Sequence, residues 1–292
     1  MELQWPLILF TTFLAWSAGV FATQCLYAMQ GKGAKAQLPA LIVSVVLLAI
    51  GGICVFFHLQ HWERIFNGFG HLTSGITQEL IAIVVMFIVM VIFFVYLRRS
   101  GDEAKVPQWV CILGIVVAAI LAVVMSHSYM MPSRPAWNSV LQIGSIVGAA
   151  CAFGPATMAF ICALLDGDAD NEYHAKLNVI GQAINVALTL VYLIAMSFVG
   201  SAFTKVSYWF DPTSPTQGLV DASATSPFAG DAIGFTIVAI LGVLAGLLAA
   251  YMGKKQGNWK MWGAIAAVAV FVGALCLRAT FYLMGVSVYP FF

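Results

Sequence analysis

Eight apolar runs, each long enough to cross a lipid bilayer, divide this chain. They cover roughly residues 6–29, 39–60, 78–98, 107–131, 138–165, 177–203, 231–252 and 258–288. A helix rises about 1.5 Å per residue, so crossing a hydrocarbon core about 30 Å thick takes about 20 apolar residues. Inside that core every backbone N–H and C=O must find its partner within the protein, so runs of this length must be helices. Breakers separate them: Gly31, Gly33 and Pro39; Gly70 and Gly75; Gly101 and Pro107; Pro132 and Pro135; Gly167; Pro212 and Pro215; Gly253 and Gly257. The expectation is an all-α membrane protein, one integral domain over 1–292 built as an eight-helix transmembrane bundle. No self-similar period is visible along the chain.

Composition excludes the alternatives. Hydrophobic residues make up 62% and charged residues 9%, against about 45–50% and about 25% in soluble domains. A soluble enzyme and a disordered chain are therefore ruled out. The net charge of +1 lacks the basic footprint of a nucleic-acid binder. Six cysteines all sit in apolar runs without a C-x-x-C pair, so no metal site and no iron–sulfur cluster are expected in this chain. Residues 1–6 carry no Lys or Arg, which favours a retained first helix over a cleaved signal peptide.

Loop charge predicts the orientation. The loops after odd-numbered helices hold nine Lys or Arg (Lys32, Lys35, Arg98, Arg99, Lys105, Lys176, Lys254, Lys255, Lys260), and those after even-numbered helices three (Arg64, Arg134, Lys205). Positive loops stay in the cytoplasm, so both termini are expected outside. The long segment 204–230, with Pro212, Pro215 and Pro227, then lies on the outer side as a solvated linker or a docking surface.

Charged groups in spanning helices are expensive and therefore informative. Counting about 1.5 Å per residue from the inner helix ends, His58, His127 and Arg278 reach the outer boundary, and Glu79 opens helix 3 there. Arg64 and His61 lie close to the same level. Of five histidines only His174 falls inside. A histidine and a carboxylate at a membrane boundary suit proton abstraction from a quinol hydroxyl. An arginine beside them would hold Glu79 ionised or orient the quinone oxygen, with Phe56, Phe57, Phe66, Phe281 and Tyr282 around the ring. A haem b would need two axial ligands from spanning helices. Only His58 and His127 qualify by position, both near one end, so no haem is expected. Two other functions stay open. A secondary transporter would use broken helices near the midplane, where Gly148, Gly154, Pro155, Gly242 and Gly246 lie. A purely structural anchor would need no site at all.

The residues also carry a family likeness. His58-Leu59 with Arg64, Phe66 and Asn67, followed by Glu79, resembles the membrane anchor subunit of dimethyl sulfoxide reductase. The opening Trp5-Pro6-Leu7 with Phe10-Thr11, the stretch Tyr129, Pro135 and Trp137, and Arg278, Phe281, Tyr282 and Gly285 in helix 8 are similar to the same family. The resemblance implies a haem-free quinol dehydrogenase module in the cytoplasmic (inner) membrane, oxidising menaquinol near the outer face in anaerobic respiration. It implies two partners besides the lipid bilayer: a ferredoxin-like subunit with four iron–sulfur clusters, and a molybdopterin catalytic subunit. Carried over by position, His58 and Glu79 are the expected catalytic pair. Arg64, His127, Tyr129 and Arg278 complete the expected quinol-binding set. The segment Leu59-Gln60-His61-Trp62-Glu63 departs from the family's small residues and proline. Finally, Arg278 is expected to pair with Glu79 or face the quinone. Helix 8 is expected to run on past the bilayer, its end at 288–292 beneath the iron–sulfur partner.

Overall fold

The computed structural model describes residues 3–59, 61, 67, 69–165, 170–200 and 225–286. Arg64, Phe66, most of the 204–230 segment and the tail at 288–292 lie outside the described residues. Eight helices among the described residues are long and apolar enough to cross a membrane. They are α1 (Trp5–Met29), α2 (Gln37–Phe56), α3 (Gly75–Arg99), α4 (Gln108–His127), α5 (Val140–Leu165), α6 (Asn171–Ser197), α7 (Ala232–Gln256) and α8 (Trp259–Leu283).

The expected bundle is present, with three boundary corrections. α2 ends at Phe56, so His58 stands in the turn beyond it and not within a helix. α6 starts at Asn171, six residues before the hydropathic run, because its first turns are polar but buried: His174 and Asn178 are both 0% exposed. α8 stops at Leu283, short of the expected end near 288. Its end is tied back to this chain, since Arg134 Nη1 donates to the Gly285 carbonyl at 2.6 Å and Trp137 Nε1 to the Phe281 carbonyl at 2.7 Å.

The helices form two four-membered rings, α1–α4 and α5–α8, each closed by its first and last helix, and joined through α1 against α5. These two are the most buried spans, with 67% and 78% of the span inside the bundle, against 33% for α2 and α3. The latter turn Ile42, Ile53, Val85 and Ile88 outward, as lipid-facing helices do.

Lipid supplies no hydrophobic drive between helices, so contact depends on small residues that let backbones close. At the α1–α5 crossing, a Cβ on Gly154 would collide with the Gly19 carbonyl, and one on Gly19 with the Ala150 carbonyl. The α5–α6 contact has a further cause. Pro155, inside α5, has no N–H and cannot close the helical bond to the carbonyl four residues back. That carbonyl belongs to Cys151, and Gly181 of α6 lies directly against it. Asn178 Nδ2 reaches across as well, donating to the Pro155 carbonyl at 3.1 Å.

Long-range bonds sort the loops into two ends. Lys32 meets Asp170 at 2.5 Å, and Trp259 Nε1 donates to Asn171 Oδ1 at 2.5 Å. The α1–α2, α5–α6 and α7–α8 connections therefore share one lysine-rich end. At the other end Leu3, Ile8, Tyr129, Trp137, Phe281 and Met284 form one apolar cluster. Both extremities of the described chain therefore lie at this second end, with His58 and Glu79.

Candidate functional site

The mouth of the first ring is a cleft of about 370 Å³, lined from α1, α2 and α3 and from the turn after α4. This is within the ~300–1,000 Å³ of small-ligand sites. Leu7, Phe10, Val55, Leu59, Leu80 and Ile83 make its walls apolar; His58, Ser74, Glu79, Ser128 and Tyr129 supply the polar groups.

Glu79 sits in the second turn of α3 and is only 7% exposed. A buried carboxylate needs a donor, and local packing provides one. Gly75, one turn earlier on the same face, lets α3 abut Ser128, since a Cβ there would stand 2.8 Å from the Ser128 Cβ. That approach sets the Ser128 hydroxyl to donate to Glu79 Oε1. His58 closes the mouth from the other side. It is exposed, and its backbone N–H donates to the Val55 carbonyl at 3.0 Å, which fixes the turn beyond α2. Tyr129 forms the floor. Burial, with Tyr282 and Glu79 close by, holds its phenol well above the ordinary range, so it remains a hydroxyl donor.

Three expected site residues are therefore brought together: His58, Glu79 and Tyr129. His127 is exposed at the last position of α4 and does not line the cleft. Arg278 stands apart too. It is 4% exposed, in the second ring, where Nη2 donates to Ser145 Oγ at 2.9 Å and the guanidinium lies 5.1 Å from the Phe281 ring centroid. No Arg278–Glu79 ion pair occurs among the described residues, which corrects the expected pairing. Tyr129 lies between the two groups, its ring edge-on to Tyr282 at 6.4 Å. The expected aromatic walls also shift. Phe56 and Phe57 are exposed, while Phe281 and Tyr282 pack behind Tyr129. Sequence reasoning missed Ser128, because a serine at a helix end carries no signal of its partner.

Among the described residues no group of three or more His, Cys, Asp or Glu is set to hold a metal ion. A family model described as DMSO reductase anchor subunit (DmsC) matches residues 1–284. The chain belongs to this family. No curated protein matches it. Membership in the DmsC family makes this a multi-pass membrane anchor subunit of a DMSO reductase-type complex. All the residues that line the cleft lie within the matched region.

Proposed function

We propose that this DmsC-family anchor oxidises a quinol in the cleft between His58 and Glu79. The observation that carries the reading is that an imidazole and a buried carboxyl line one apolar cleft of ring size. A quinol becoming a quinone loses two protons and two electrons. His58 accepts the proton of one hydroxyl and the Glu79 carboxylate that of the other. Ser128 holds the Glu79 carboxyl in place, and the Tyr129 hydroxyl is a donor for an oxygen at the cleft floor. The electrons leave to a four-cluster iron–sulfur subunit covering this end, and from there to a molybdopterin catalytic subunit. Menaquinol is the quinol the family likeness implies.

Glu79→Gln keeps the shape of the side chain and removes its ability to take a proton. We expect it to retain binding of a quinol analogue, followed by fluorescence titration of membranes, while quinol-dependent turnover falls about 10²–10⁴-fold. Unchanged turnover would remove Glu79 from the mechanism.

The reading also fixes a topology. The lysine-rich end faces the cytoplasm, and the cleft lies near the outer face of the inner membrane. An outer-compartment reporter fused after Phe292 should be active, and one within the loop at 254–260 silent. The reverse pattern would move the quinol chemistry to the cytoplasmic face.

A further inference from the structure

One face of α6 is polar along most of its length, yet buried. His174, Asn178, Gln182, Asn185 and Thr189 recur at three- and four-residue spacing, so they share a stripe, and none is more than 2% exposed. From His174 to Thr189 the stripe spans about 22 Å. Several of its atoms have no hydrogen-bond partner among the described residues: Asn178 Oδ1, Gln182 Oε1 and Thr189 Oγ1. An unpaired buried polar atom costs roughly 1–3 kcal/mol, so three in one row call for a common explanation.

The upper end of the stripe opens on a small cavity of about 10 Å³, lined by Asn185, Thr189, Ser145 and Arg278. That is about the size that holds one water. Arg278 Nη1 is buried and has no partner among the described residues. A water here would accept from Nη1 and donate to Thr189 Oγ1. At the lower end His174 Nδ1 lies 2.5 Å from the Tyr27 hydroxyl, near the Lys32–Asp170 pair at the lysine-rich surface. Above Arg278, one turn along α8, Tyr282 meets Tyr129 of the cleft. The polar groups therefore run from one end of the bundle to the other, with one fixed positive charge across the line.

We propose that the buried polar face of α6 is a potential proton path from His174 to the water-sized cavity at Arg278, and that the Arg278 guanidinium closes this path to protons. A fixed cation in a hydrated path repels protons electrostatically. Protons released in the cleft are thereby kept from crossing the bundle. The proposal goes beyond the quinol reading, and its test uses no quinol.

The full chain is reconstituted into potassium-loaded vesicles. A membrane potential is imposed with valinomycin, and proton entry is read with an internal pH dye. The wild type and Arg278→Lys should be as proton-tight as protein-free vesicles. Arg278→Gln should raise the flux at least about tenfold, equivalent to a barrier lowered by ~1.4 kcal/mol. Adding Gln182→Leu to Arg278→Gln should abolish that gain, locating the path on α6. An Arg278→Gln protein as tight as wild type, or a leak that survives Gln182→Leu, overturns the proposal. A second measurement needs no variant. A high-resolution density map of the wild type should show water within hydrogen-bond distance of both Arg278 Nη1 and Thr189 Oγ1; a dry cavity there contradicts the proposal equally.

Discussion

His58→Ala is expected to lower quinol-dependent turnover of the assembled complex about 10²–10⁴-fold, the typical loss on removing a general base. The complex itself should still assemble. His58 stands in the turn after α2, exposed, and outside the apolar clusters that hold the two rings together. Its removal therefore opens no cavity in the core. The measurement is turnover per assembled complex with a quinol as donor, set beside turnover with an artificial donor that feeds the iron–sulfur partner directly. Loss of the first with retention of the second isolates the defect to this chain. Equal loss of both would point to failed assembly and leave His58 without a chemical role.

Gly154→Val is expected to act on the fold instead, and to remove most of the protein from the membrane. Gly154 lies at the α1–α5 crossing, where an added Cβ would strike the Gly19 carbonyl and the Thr23 hydroxyl. Neither obstacle moves away cheaply, since one is backbone and the other belongs to a buried threonine on the next turn of α1. Overpacking costs roughly 1–3 kcal/mol for extra methylenes in a tight core, occasionally more, against a total stability of about 5–15 kcal/mol. The α1–α5 contact joins the two rings, so a forced separation there is felt by the whole bundle. The check is abundance in membranes and thermal unfolding in detergent, with Gly52→Val as comparison, because a Cβ at Gly52 meets nothing within 4 Å. Equal abundance of the two variants would show that the close crossing is dispensable.

The sequence makes the spans legible because hydropathy over about 20 residues is a one-dimensional property. It also makes the height of a residue legible, since rise per residue is nearly constant. His58, Glu79 and Arg278 were all placeable at one level on that ground. What rise cannot supply is azimuth or ring membership. Arg278 and Glu79 share a level, but α8 belongs to the second ring and α3 to the first, so Arg278 meets Ser145 instead. The start of α6 was hidden for a related reason. A hydropathic window averages over all faces, and a helix whose polar stripe is turned inward scores like a loop at its polar end. The repeated ring order was invisible too, because it resides in which helices touch and not in any repeated residues. Ser128 became a site residue only through Gly75, whose missing side chain brings α3 against it.

In the proposed mechanism the quinol binds in the cleft at the mouth of the first ring. The most direct test is photoaffinity labelling of the intact complex with an azido-quinone, followed by mass spectrometry of this chain. Labels are expected on the cleft segments, at residues 55–59, 74–83 and 128–131, competed away by unlabelled quinol and lost in Glu79→Ala. Labelling concentrated on α5–α8, around Ser145 and Arg278, with the cleft segments unlabelled, would contradict it.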